Sequence, residues 1–137
     1  MIRKVIDEIR DYLRGINSLK GHTTILSFEE HDVTQSCIEA LQKIDSVVVL
    51  VRAVSATQAG YNDHLTQVDV TTEISCSELV ETNRSSPEAM TSLQVAEEII
   101  KALNSDQVCF FDLKSEFTQE GILTYTITLH YKTNLEK

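Results

Sequence analysis

The chain has 137 residues, 42% of them hydrophobic, and its 12 Lys and Arg against 21 Asp and Glu give a formal net charge of −9. This length and hydrophobic content predict one globular domain over residues 1–137 that buries a core of its own. The acidic balance, without a cluster of basic residues, argues against sequence-independent binding to phosphates, which needs clustered Lys and Arg.

The chain opens with a pattern typical of an amphipathic helix. Apolar side chains recur at helical spacing through residues 2–16, charged side chains fill the other face, and the helix is expected to end near Gly15. Because charged and apolar residues alternate here, the segment indicates neither a signal peptide nor a membrane span. The β-branched and aromatic residues of 23–30 then predict a short strand.

A short helix and a central strand follow. Apolar spacing that ends at Ile44 predicts the helix, with Asp32 or Thr34 as its N-cap. Residues 46–54, SVVVLVRAV, are apolar on both faces until Arg52. This pattern is typical of a central strand that is covered on both sides.

The middle of the chain alternates between polar segments and a strand. Residues 55–64, SATQAGYNDH, predict a polar loop long enough to project from the body. Apolar and polar residues then alternate through 68–76, which indicates a strand with one wet face. In the next segment, 77–86, Leu79 and Val80 are apolar residues outside the core pattern.

The last third predicts a helix and two strands. Residues 85–105 begin with serine, proline and glutamate, the order of an N-cap, first helical position and favourable first-turn charge. Residues 108–118 predict a strand, and its apolar face carries Cys109, Phe111, Leu113 and Phe117.

The closing segment, 122–131 (ILTYTITLHY), alternates most regularly of all. We assign one face to the helix-covered core: Leu123, Tyr125, Ile127, Leu129 and Tyr131. The threonines of the other face, Thr124, Thr126 and Thr128, are expected on an outward or lumen-side surface. The resulting order, α-β-α-β-β-α-β-β, predicts an α+β fold with a largely antiparallel or mixed sheet and two or three helices packed mainly on one face.

Few residues combine into a recognisable chemical site. Residues 29–32, EEHD, hold possible metal ligands, but neighbours in a strand point to opposite faces, so we interpret them as a solvated strand end. Asp63 and His64 are an imaginable acid and base pair inside a loop. Neither His22 nor His130 stands at a sequence spacing typical of a catalytic or metal-binding pair, and the 4 glycines form no phosphate-binding motif. We therefore expect no catalytic residue, cofactor or metal, and a protein that is not an enzyme.

The three cysteines are interpreted as structural. Cys37, Cys76 and Cys109 are widely spaced, form no CxxC pair and lie in apolar patterns. Such residues predict buried thiols in a reducing compartment, and hence a protein made and used in cytoplasm.

Four segments taken together carry a resemblance over nearly the whole chain: SVVVLVRAV, QVDVTTEISCS, LQVAEEIIKAL and FFDLKSEFTQEGILTYTITLHY. In their order and pattern they resemble the tail terminator and tail completion proteins of long-tailed bacteriophages, of the Mu-like and lambda-like types. The resemblance implies a non-enzymatic virion protein, assembled in the host bacterial cytoplasm, that forms a ring of commonly six copies. The ring caps the tail tube and offers a surface to the neck or head.

This resemblance sets the expected partners: further copies of the chain, the tail tube protein and a neck or connector protein, without a membrane. DNA is expected to pass through the lumen without specific binding, because acidic side chains suppress phosphate contacts. Contacts with neighbouring copies or the tube are expected at Tyr61, Asn62, Asp63, His64, Leu79, Val80 and Arg84.

Three alternatives stay open at this point. The chain fits another head–tail connector or neck protein equally well in size and charge. It also fits a small α+β ligand-binding or regulatory domain, dimeric through a sheet edge, with a pocket between the helices and the sheet. A hydrolase that uses Asp63 and His64 is the third.

Overall fold

The computed structural model describes residues 2–61, 65–106 and 112–136, with side chains for 2–58, 67–106 and 112–130. The helices are α1 (Ile2–Arg14), α2 (Val33–Leu41), α3 (Val80–Asn83) and α4 (Ser92–Ser105), and the strands are β1 (Thr23–Ser27), β2 (Val47–Tyr61), β3 (Leu65–Leu79), β4 (Asp112–Phe117) and β5 (Ile122–Glu136). This order confirms the predicted α+β fold, with the single-turn helix α3 added between β3 and α4.

The strands form one mixed sheet in the order β1-β2-β3-β5-β4. β1 and β2 are parallel and are joined through α2, whereas the other neighbouring pairs are antiparallel. β1 and β4 are therefore the two edges of the sheet.

The main core lies between one face of this sheet and the helices α1 and α4. Valines at alternate positions of β2 are fully buried there, and so is Ile127 of β5. The helices contribute their apolar stripes, which are Val5, Ile6, Ile9 and Leu13 from α1 and Val95, Ala96, Ile99 and Leu103 from α4. Apolar side chains thus fill the space between these helices and the central strands.

Helix α2 packs on the second face of the sheet. Ala40 of α2 and Val48 of β2 are both buried but lie outside the main core cluster. Because Val48 points away from its neighbours Val47 and Val49, it faces α2. Helices therefore cover both faces of β2 at its start, as its pattern of apolar residues on both faces predicted.

The two faces of β5 are as predicted for residues 124–130, whereas Leu123, also predicted in the core, is half-buried and lies outside the core cluster. Ile127 and Leu129 are buried, and half-buried Tyr125 packs against the core. The threonine row, Thr124, Thr126 and Thr128, occupies the opposite face and is half-buried. The side chain of Tyr131 lies outside the described residues.

The prediction of a loop over residues 55–64 is wrong for residues 55–61. β2 continues to Tyr61, and β3 begins at Leu65 rather than near Val68, so the two strands form a long hairpin. Backbone pairing with β3 holds the polar residues in the sheet, with register shifts near Val54 and at Gln58/Gly60. β5 pairs with β3 as far as Glu136. Tertiary pairing has overridden local composition in this hairpin.

Helix α4 begins at Ser92, later than the predicted start at residue 85. Thr91 is its N-cap and forms a capping box with Gln94. Pro87 lies in the preceding turn, so the serine–proline signal marks that turn and the capping box marks the helix.

The prediction that the apolar residues of β4 share one buried face is wrong for one of them. Leu113 packs against the core, but Phe117 is 65% exposed. Cys109 and Phe111 lie outside the described residues. Of the other two cysteines, Cys76 is buried as predicted, and Cys37 is half-buried.

Candidate interaction surface

The described residues do not assemble a metal centre. Across 2–61, 65–106 and 112–136, no three His, Cys, Asp or Glu side chains are grouped to hold an ion. Glu30, from the EEHD segment, instead accepts a hydrogen bond from the Ser27 backbone N–H at 2.7 Å and lies 3.7 Å from Arg14. Among the helices described, none has the length and apolar character that crossing a membrane requires.

The predicted contact residues fall into three groups. Asn62, Asp63 and His64 lie outside the described residues, and Tyr61 ends β2 with a side chain that is also outside them. Leu79 is the last residue of β3 and Val80 the first of α3. Arg84 follows α3 and points inward toward a buried carboxylate.

Leu79 and Val80 line a surface depression of about 590 Å³ together with Glu81, Thr82, Phe117, Glu120 and Gly121. We call this depression the acidic edge, because it lies beside the edge strand β4 and two exposed glutamates border it. The Val80 N–H donates to the Gly121 carbonyl at 3.0 Å and ties α3 to the turn between β4 and β5. Gly121 adopts a φ of +86°, which favours glycine.

The acidic edge combines exposed apolar surface with negatively charged side chains. Phe117 is the most exposed large hydrophobic side chain among the described residues. Glu81 and Glu120 form no ion pair within the described part of the chain. Such a surface suits an apolar or aromatic group with a cation beside it.

Below the acidic edge, the fully buried Glu78 anchors the segment that follows β3. Its carboxylate accepts hydrogen bonds from Arg84 at 2.8 and 3.1 Å, from Asn83 Nδ2 at 3.0 Å, and from the backbone N–H and hydroxyl of Ser92 at 2.5 and 2.6 Å. Asn83 Oδ1 also accepts from the Ser46 N–H at 2.6 Å, just before β2. The network joins β3, α3, the first turn of α4 and the start of β2.

The pKa of Glu78 reflects this network. Burial by itself would raise the pKa, but the hydrogen bonds from Arg84, Ser92 and Asn83 outweigh it and lower the pKa to about 2. The carboxylate is therefore ionised at neutral pH, and Arg84 supplies its counter-charge. The structure accordingly gives Arg84, predicted as a contact residue, a role inside the subunit.

Sequence reasoning missed Glu78, although one signal for it was present. The alternation that runs from Val68 to Cys76 reaches Glu78 at the next step of two, so the pleat places this residue on the core face. Its partners are 5 to 14 residues away along the chain, which local patterning does not reveal.

A second exposed aromatic site lies on the β1 side of the sheet. Phe28 directly follows β1 and is 50% exposed. The Arg52 guanidinium lies over its ring, with Cζ 6.0 Å from the ring centroid, and bonds Glu73 Oε1 at 2.8 and 3.0 Å. We call Phe28, Arg52 and the exposed Val54 the arginine edge.

His22 has a partner that the sequence did not reveal. Its Nδ1 lies 2.7 Å from Asp45 Oδ1. Asp45 precedes β2 at a φ of +53°, and its N–H donates to the Asn83 carbonyl at 3.1 Å. The pair connects the turn before β1 to the turn before β2, which gives His22 a structural role.

The chain matches no protein-family model, and no curated protein matches it at a significant level.

Proposed function

We propose that this chain is a non-enzymatic virion protein of a long-tailed bacteriophage, a tail terminator or tail completion subunit. In this function, copies of the chain form a ring, commonly of six, on the end of the tail tube and connect it to the neck or head. The order of elements and the mixed sheet support the proposal.

The observation that carries the proposal is the long β2–β3 hairpin. Each strand has 15 residues, and every β2 side chain from Arg52 to Gln58 is exposed. Exposure at consecutive positions means that both faces of β2 are uncovered there, in contrast to its buried start. The ten residues from Arg52 to Tyr61 span roughly 30 Å of strand.

We call residues 52–61 of β2 the arm. It suits assembly because its side chains, described as far as Gln58, are exposed on both faces of the strand. Among the described residues, no strand pairs with the outer side of β2 beyond Val51. A neighbouring copy or the tube end is able to pair with such an edge.

The net charge supports passage of DNA through the ring. A charge of −9 per chain disfavours the phosphate contacts by which proteins hold DNA nonspecifically. A ring structure with a lumen lined mainly by Lys and Arg would contradict this part of the proposal.

Growth of the tail tube tests the function. Purified chain added to polymerising tail tube protein is expected to stop elongation and to appear as a ring at tube ends in negative-stain images. Val54→Asp on the arm should weaken this capping, whereas Leu93→Asp, a matched change on α4, should not. Tubes that reach the same length with and without the chain would refute the function.

A further inference from the structure

Two adjacent cations, Arg3 and Lys4, lie in the first turn of α1, and nowhere else in the sequence do two basic residues adjoin. Both side chains are exposed, and neither forms an ion pair within the described part of the chain. The same turn contains no acidic residue. Because the positive end of the helix dipole lies at the N-terminus, two cations there destabilise the isolated helix. We call Arg3 and Lys4 the basic turn.

The other arginines of the chain already have carboxylate partners inside the subunit. The pairs are Arg10 with Asp7, Arg14 with Glu30, Arg52 with Glu73 and Arg84 with Glu78. Arg3 is therefore the one arginine that no described carboxylate neutralises, although the chain has 21 Asp and Glu against 12 Lys and Arg. Two exposed cations without partners in so acidic a chain are suited to carboxylates supplied by another molecule.

The acidic edge carries carboxylates of the kind that the basic turn lacks. Glu81 and Glu120 are exposed there and form no ion pair among the described residues. Phe117 in the same depression is 65% exposed, and the face of an aromatic ring attracts a guanidinium whose N–H groups are free to bond carboxylates beside it. A second acidic groove, along α4, differs because it contains a cation of its own, Lys101. The acidic edge therefore matches the basic turn in both charge and aromatic surface.

From this complementarity we infer that the basic turn of one copy binds the acidic edge of the next, with Arg3 stacked on Phe117 and Lys4 beside Glu81 and Glu120. The inference deepens the proposed function and rests on it, since it names the surfaces that close the ring. Two basic turns or two acidic edges placed together would repel each other, so charge opposes a symmetric pairing. Joining two different surfaces gives a heterologous contact, which repeats from copy to copy and closes into a ring when the rotation allows it.

Reversing the charge of one surface at a time provides the test. Arg3→Glu with Lys4→Glu reverses the basic turn, and this protein should fold because acidic residues in a first helical turn are favourable. Glu81→Lys with Glu120→Lys reverses the acidic edge at two exposed positions. A quadruple variant that combines both reversals has the net charge of the wild type and again places opposite charges across the contact.

Each reversal has a matched control with the same change in net charge. Lys20→Glu with Lys43→Glu alters two exposed lysines that form no ion pair among the described residues. Glu88→Lys with Glu97→Lys alters two exposed glutamates of the groove along α4. Circular dichroism checks that every variant folds. If the quadruple variant does not fold, an equimolar mixture of the two reversed proteins replaces it, since each then presents a surface complementary to one on the other.

Sedimentation velocity at tens of micromolar protein is the readout. The wild type and both controls should form the same ring. Each reversed protein alone should be monomeric, with association weakened by roughly tenfold or more because like charges then meet at the contact. The quadruple variant should recover the ring.

Several results would overturn the inference. A folded reversed protein that keeps the wild-type ring excludes this contact and leaves the proposed ring function intact. If the reversed basic turn keeps the ring but no longer caps tail tubes, the turn binds the tube protein instead of a second copy. A quadruple variant that stays monomeric, or a control that loses the ring, also excludes a specific contact between the two surfaces. A wild-type protein that stays monomeric at the same concentration counts against the ring itself and removes both proposals.

Discussion

Replacing Glu78 with glutamine should destabilise the subunit by roughly 3 kcal/mol at pH 7. The carboxylate accepts two hydrogen bonds at Oε1 and three at Oε2. A glutamine amide accepts on one side only, so its NH₂ group would face donors on the other side. Arg84 would also lose its counter-charge, but its 42% exposure lets water replace part of that interaction.

The lowered pKa leads to a similar magnitude. A shift from the ordinary value of 4.5 to about 2 corresponds to stabilisation of the ionised form on the order of 3 kcal/mol. Because the pKa is lower in the folded state, this stabilisation is complete above about pH 4.5 and is lost as the pH falls toward 2. The difference between wild type and Glu78→Gln should therefore shrink at pH 3 to less than half its value at pH 7.

Urea unfolding followed by circular dichroism measures this difference. The protein concentration must be fixed, because association would raise the apparent stability. Glu81→Gln is the matched control, since it removes an exposed glutamate three residues away and should change the free energy of unfolding by less than 0.5 kcal/mol. A Glu78→Gln variant within 1 kcal/mol of the wild type at pH 7, or a difference independent of pH, would refute the reasoning.

Three further predictions concern the core, the cap of α4 and the thiols. Ile127→Ala should lower the free energy of unfolding in urea by about 3 kcal/mol because it leaves a buried cavity, whereas Thr126→Ala on the opposite face should lower it by less than about 1 kcal/mol. The reverse ranking would mean that the threonine face of β5 is the core face. Thr91→Ala should lower the free energy of unfolding by about 1 kcal/mol because the capping box is lost, and Thr91→Ser should restore most of it. Peptide mapping after alkylation of the native protein should find Cys37 modified well before Cys76, because burial raises the pKa of the Cys76 thiol to about 12; equal rates would contradict this.

Sequence patterns predicted the fold wherever burial follows a regular period. The alternation over 122–131 placed Ile127 and Leu129 in the core, and the doubly apolar start of β2 indicated cover on both faces. These predictions succeed because the side chains of a strand alternate by geometry, whatever the strand packs against.

Other features depend on partners that are distant in the sequence. Residues 55–61 look like a loop by composition and become strand by pairing with β3. Phe117 continues the apolar pattern of β4 but is exposed, and nothing in its own segment shows this. The acidic edge was predicted only in part, through Leu79 and Val80, because Phe117 and Glu120 reach it from the β4–β5 turn.

The central claim is that this protein works by assembling copies of itself. The mass of the purified chain in solution is its most direct test. Native mass spectrometry should find one dominant closed species, and six copies of the 15.4 kDa chain correspond to about 92 kDa. A single species at 15.4 kDa, unchanged up to tens of micromolar and in the presence of tail tube protein, would contradict the account.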